Sequence, residues 1–258
     1  MSTITARTEN GVAYIVMNRP DKFNSFNREM ALALQQELDR CADDDSVRAI
    51  HLSGEGKAFC AGQDLGEAVD PAGPELRAIV RDHYNPIIER IRNIEKPVVA
   101  AVNGVAAGAG ANIALACDIV LAKESAAFIQ AFSKIGLIPD SGGTWFLPRL
   151  VGFQKASALM MLGDKVSAAE AERLGMIYKA FADDSFETES QKIAESLAKM
   201  PTKALAYTKA ALNLSFSHSL TEQLQQEEEY QAICGATADF NEGIAAFLEK
   251  RQPVFTGK

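Results

Sequence analysis

From Pro97 to Cys117 the chain carries no charged side chain: PVVAAVNGVAAGAGANIALAC. A run of that length must be buried, and a bilayer is a poor host for this one. It is dominated by Ala and Gly, so it is only weakly hydrophobic, and Asn103 and Asn112 would each need a polar partner in hydrocarbon. The expected structure is a buried strand, a tight turn and a buried helix. Around it, PVVAAV and DIVLA read as short core strands. VRAIHLSGEG reads as a strand running into a glycine turn, and REMALALQQELDRCADD has the apolar spacing of an amphipathic helix. Asn10–Gly11 inside ITARTENGVAYIVMNRP marks a hairpin. Leu76 to Ile94 is expected as one amphipathic helix closed by Lys96–Pro97. Strands alternating with helices indicate an α/β domain.

After Gly152 the pattern turns to nearly continuous helix. Ser167 and Glu170 have the spacing of a capping box, helices are expected over 186–199 and 202–214, and a last one over 219–249 has breaks at Gly235 and Gly243. The organisation expected is an α/β core over 1–200 and a helical C-terminal region over 201–258.

Composition excludes several functions. The 258 residues are 47% hydrophobic and 23% charged, the profile of a soluble globular chain. A net charge of −8 argues against a nucleic-acid partner, which is held by clustered Lys and Arg. Cys41, Cys60, Cys117 and Cys234 form no CxxC pair, and His51, His83 and His218 are isolated. Free thiols in a reducing cytoplasm and no metal site are therefore expected. The N-terminus shows no export signal, and no membrane span is expected.

Three segments hold the candidate chemistry. In FSKIGLIPDSGGTWFLPRL a single acid, Asp140, sits in apolar surroundings, where a carboxylate is costly unless paired or used. Ile138 and Trp145 are expected to raise its pKa. It also fits as the N-cap of the following helix, and Trp145 reads as pocket wall or, in preference, core. Gly108, Ala109 and Gly110 precede an uncharged helix whose first N–H groups lack intrahelical partners and suit a developing oxyanion; close helix–strand packing explains the same residues. KAFCAGQDL is a second tight turn that offers the Gln63 N–H, or is simply a connection. Two donors and one acid would suit proton abstraction beside a thioester carbonyl. His83 and Tyr84 can line an acyl pocket or a packed helix face, while Cys60 and Cys117 read as small buried apolar groups.

NRPDKFNSFN, KAFCAGQDL, AVNGVAAGAGANIALACDIVLA, FSKIGLIPDSGGTWFLPRLVG, SAAEAERLGMI and EGIAAFLEKRQPVFTGK stand in the order and spacing of the enoyl-CoA hydratase/isomerase (crotonase) superfamily, which the chain resembles over nearly its whole length. FCAGQDL, NGVAAGAGA and AFSKIGLIPDSGGTW most resemble the branch that isomerises ring 1,2-epoxyphenylacetyl-CoA. The resemblance implies a spiral of β-β-α units with helical trimerisation segments, and a homotrimer or dimer of trimers. It implies an acyl-CoA thioester substrate and no separate cofactor. The oxyanion hole falls on the N–H groups of Gln63 and Ala109. The Ala61 carbonyl faces the adenine amino group, with Asp64 and Leu65 close by. Lys22, Lys57 and Lys250 or Arg251 fall near the CoA. Asp140 takes the isomerase carboxylate's place, while Asn112 and Phe132 stand where hydratases carry two glutamates, which disfavours hydration. A dehalogenase is disfavoured too, since its His base and activating Trp have no match. A generic fatty-acyl 3,2-enoyl-CoA isomerase and a non-catalytic acyl-CoA-binding protein remain the other readings.

Overall fold

The computed structural model describes residues 2–258. Two sheets arise from strands that alternate between them. A six-stranded sheet runs in the order β1 (Ile4–Glu9), β2 (Val12–Met17), β3 (Ala49–Gly54), β5 (Val98–Val102), β7 (Ile119–Lys123) and β10 (Lys179–Phe181). A four-stranded sheet runs β4 (Ala58–Cys60), β6 (Val105–Ala107), β8 (Ala127–Ile129) and β9 (Lys165–Ser167). The pairs β3/β4, β5/β6 and β7/β8 each give one strand to each sheet, so the chain winds in a spiral. Among the described residues only β1/β2 and β8/β9 pair antiparallel; the other neighbours are parallel.

The hairpin forms where Asn10–Gly11 requires it. Both residues have positive φ, 52° and 77°, the geometry whose twist matches the flanking strands. The uncharged run becomes β5, β6 and the helix Ala109–Ala116, whose eight residues are all buried. Small residues are required there because helix and strand backbones nearly touch. A Cβ on Gly110 would sit 2.4 Å from the Cys60 carbonyl oxygen. Gly110→Ala is therefore expected to cost about 1–3 kcal/mol by overpacking and to lower the melting temperature. Gly235→Ala, with nothing within 4 Å, should leave it unchanged.

Three local expectations are corrected. Leu76 to Ile94 is one rod but not one α-helix: α-turns at Leu76–Ala78 lead into a π-helical segment, Ile79–Tyr84, and then an α-helix, Asn85–Asn93. Pro86 supplies the reason. It has no N–H for the Asp82 carbonyl and its ring crowds that oxygen. The Nε2 of buried Gln35 donates instead to the carbonyls of Asp82 and His83, at 2.9 and 3.1 Å. After Gly152 the chain is interrupted by β9 and β10, and the last helices are Leu220–Gly235 and Ala238–Glu249, broken near Gly235 and not at Gly243. Ser167 accepts the Glu170 N–H, but the Glu170 carboxylate turns to Arg173 at 2.7 Å. The reciprocal capping box is at Ser219 and Glu222 instead. Among the described residues no helix is long and apolar enough to cross a membrane.

Candidate active site

β4 and β6 are neighbours in the small sheet, so the turns that follow them lie side by side. Gly62, at φ +95°, permits the closest approach: a Cβ there would lie 3.0 Å from the Ala107 carbonyl oxygen and 3.6 Å from the Ala109 nitrogen. Gly108, at φ 53° and ψ −128°, occupies backbone space that a side chain would strain. It turns the chain from β6 into the helix so that Ala109 becomes its first residue. The Ala109 N–H has no hydrogen-bond acceptor among the described residues, as expected in a first helical turn.

The Gln63 N–H is left free by a different device. Phe26 bonds on both sides of Gln63, donating to the Gly62 carbonyl at 2.7 Å and accepting the Asp64 N–H at 2.8 Å. Because a trans peptide is planar, anchoring the Gly62 oxygen on Phe26 turns the Gln63 N–H the opposite way. It too meets no acceptor among the described residues. The NRPDKFNSFN segment fixes this loop further. Buried Asn24 donates to the carbonyls of Glu55 and Ala58 at 2.9 and 2.8 Å, and Ala61 donates to the Phe23 carbonyl.

Gln63, Ala109 and Asp140 line one cavity of about 190 Å³, walled by Tyr84, Phe132 and Leu137 among others. Ala61 and Leu65 also border it. Asp140 reaches it through a tight turn: Ser141 and Gly142 both have positive φ, 50° and 73°. Buried Asn112 donates from Nδ2 to the Asp140 backbone oxygen at 2.9 Å, and Gly143 donates to the same oxygen at 2.8 Å. Asn112 is held in turn by Gln130 Nε2 at 2.7 Å. The Asp140 carboxyl accepts from the Ser141 hydroxyl at 2.9 Å. Burial raises its pKa, against which the Ser141 hydrogen bond acts.

The helix after Asp140, Gly143–Val151, is preceded by Gly142, and no side chain caps it. The carboxyl is therefore not spent on capping. Its apolar surroundings also differ from the sequence expectation. Ile138 is 80% exposed, and Trp145 is 38% exposed, lying on the surface against Phe146 and Phe216. Neither borders the cavity; Tyr84, Phe132 and Leu137 do.

The charged candidates gather less closely. Lys22, Lys57 and Lys250 are exposed and do not line the cavity. Arg251 is engaged by Glu242 and Glu249 at 2.6 Å each. Asp64 pairs with Arg19 at 2.8 Å and accepts the Gly66 N–H at 3.0 Å; the Arg19 hydrogen bond lowers its pKa. It is a loop anchor as well as a neighbour of the site. Among the described residues no cluster of three or more His, Cys, Asp or Glu could hold a metal. Sequence reasoning passed over the support that Asn112 and Gln130 give to the Asp140 turn. A polar pair inside an otherwise uncharged core was the signal for it.

The arrangement can hold an anionic oxygen between two N–H groups and present a carboxylate of raised pKa to a carbon beside it. The enoyl-CoA hydratase/isomerase family profile matches residues 7–258. The 1,2-epoxyphenylacetyl-CoA isomerase of Escherichia coli (strain K12) is 47% identical over 100% of both chains. A "Probable enoyl-CoA hydratase" of Rhodobacter capsulatus is 45% identical over 99% of this chain and 98% of that one. The crystal structure of an enoyl-CoA hydratase from Bacillus anthracis superposes with a TM-score of 0.92 at 33% identity, covering 99% of this chain and 100% of that one. The chain belongs to the enoyl-CoA hydratase/isomerase (crotonase) family and is an enzyme acting on CoA thioesters.

Proposed function

We propose that this enzyme isomerises ring 1,2-epoxyphenylacetyl-CoA to the oxepin thioester and 3-enoyl-CoAs to 2-enoyl-CoAs, using one carboxylate. The observation that carries the reading is the lining of the cavity: Asp140 is its one carboxylate among the described residues, while Phe132 lines it as a hydrocarbon wall. Asn112, at the place of a hydratase glutamate, is committed to the Asp140 turn.

In the reaction the thioester oxygen lies between the N–H groups of Gln63 and Ala109. Asp140 takes a proton from the carbon α to the carbonyl, and the electron pair moves onto the oxygen, giving a dienolate. The same carboxyl returns the proton to the γ carbon, and the double bond ends conjugated with the thioester. The ring substrate needs no second base. An arene epoxide and its oxepin interconvert by a shift of ring bonds without a proton. The oxepin carries a double bond β,γ to the thioester, which the same α-to-γ transfer conjugates. Tyr84 and Phe132 give the cavity aromatic walls that suit a ring.

CoA is held in this reading by the Ala61 carbonyl, with Asp64 and Leu65 alongside and the lysines 22, 57 and 250 toward its phosphates. It arrives as part of the substrate, and the proton shuttle is complete with these groups. The exposed Phe153, Phe247 and Leu248 support assembly as a homotrimer or dimer of trimers. Unpaired cysteines support a reducing, cytoplasmic setting.

The test is incubation with 3-hexenoyl-CoA in D2O, followed by the ring epoxide thioester. Conjugation is expected, with deuterium entering the product only as far as the Asp140 proton exchanges with solvent before its return. Faster addition of water to a 2-enoyl-CoA would make the enzyme a hydratase, as the name of the Rhodobacter relative suggests. Turnover of 3-hexenoyl-CoA with none of the epoxide would leave the generic 3,2-enoyl isomerase. Binding without turnover of any substrate would leave an acyl-CoA-binding protein.

A further inference from the structure

The side chain of Gln63 is as constrained as its backbone. The Tyr84 hydroxyl donates to Gln63 Oε1 at 2.6 Å, and Gln63 Nε2 donates to Glu67 Oε2 at 3.0 Å. Glu67 Oε1 accepts the N–H of Arg28 at 2.9 Å, at the first residue of the helix Arg28–Asp43. A continuous line of hydrogen bonds thus runs from that helix terminus, through the carboxylate and the amide, to a phenol in the cavity wall. Tyr84 cannot swing away. It is 1% exposed, packs edge-on against Phe26 at 5.9 Å, and ends the π-helical segment that Gln35 stabilises. Phe26 is also the residue whose backbone brackets Gln63. The hydroxyl therefore holds the Gln63 side chain, while the ring packs on the residue whose backbone bonds flank Gln63.

We infer that Tyr84 is a positioning residue for the Gln63 backbone donor, acting through the Gln63 and Glu67 side chains, so that the N–H is already aimed before substrate arrives. This rests on the proposed role of that N–H as an oxyanion donor. Burial, and after it the nearby Cys60, Asp140 and Glu67, hold the Tyr84 hydroxyl protonated, the state in which it donates to an amide oxygen.

The test uses the full chain with Tyr84→Phe, which removes the hydroxyl and keeps the ring, and Glu67→Ala, which cuts the line further out. Each is read by kcat and KM with 3-hexenoyl-CoA. Each is also read by the absorption of bound cinnamoyl-CoA, a conjugated thioester whose band moves to the red when donors pull on its carbonyl. Tyr84→Phe is expected to lower kcat roughly ten- to hundredfold with KM nearly unchanged, since small misplacement of a preorganised group is costly. The red shift should shrink while cinnamoyl-CoA still binds. Glu67→Ala should move both readouts the same way by less, and it carries the test if Tyr84→Phe fails to fold. A lower melting temperature with kcat and red shift intact in either folded variant would overturn the inference, leaving the network merely structural. No red shift in the unaltered enzyme would remove the oxyanion role itself, a failure distinct from that of the positioning.

Discussion

Replacing Asp140 with asparagine is expected to lower kcat for 3-hexenoyl-CoA by roughly 10²–10⁴-fold, the usual contribution of a positioned acid–base group. The variant should fold as well as the parent or better. Burial raises the carboxyl pKa in the folded state, so the folded protein holds this proton more tightly than the unfolded chain. Stability from this group is present below the unfolded carboxyl pKa of 3.8 and is lost as pH rises through the folded value. At neutral pH the native acid is therefore a burden that the amide removes, a small trade of stability for activity. Turnover assays paired with thermal melts at neutral and acid pH check both halves. The stability advantage of Asp140→Asn should shrink as pH falls. A near-normal rate in Asp140→Asn would end the one-carboxylate scheme.

Ala109→Pro is expected to cost roughly 10²–10³ in kcat, the loss typical of one oxyanion donor. Backbone donors are hard to delete, but here the fold offers a way. Ala109 opens the helix Ala109–Ala116, a position where proline is favoured because its N–H has no intrahelical use. Gly108 before it has no Cβ to strike the proline ring. The helix should persist by circular dichroism and CoA-ester affinity should be largely kept, while kcat collapses. Full activity would take Ala109 out of the site.

What the sequence revealed of this molecule followed local chemistry. Asn10–Gly11 dictated its own turn, and the uncharged run could only be buried. Asp140 stood out because a lone acid among apolar residues needs a reason. The unread parts depend on distant partners. β9 and β10 have three residues each, too short for a period, and exist because β8 and β7 offer open edges. Whether Ile138 or Leu137 faces Asp140 depends on a turn through two positive-φ residues, Ser141 and Gly142. Hydrophobicity does not encode that choice. The Tyr84–Gln63–Glu67 line joins residues with no shared periodicity. The two oxyanion candidates could be named one by one, but their adjacency required β4 and β6 to pair.

The π-helical segment at Ile79–Tyr84 bears on how such an enzyme changes its substrate. In an α-helix each residue is turned about 100° from the last, so altering which side chains face a ligand also rotates the face that holds the core. A wider turn absorbs that rotation. Leu76 before it and Ile79 at its start border the cavity; downstream, Ile87 and Ile91 are fully buried. Gln35 and Pro86 hold the joint between the two stretches. Acyl-group preference can thus drift on the upstream side while the anchoring side keeps its register.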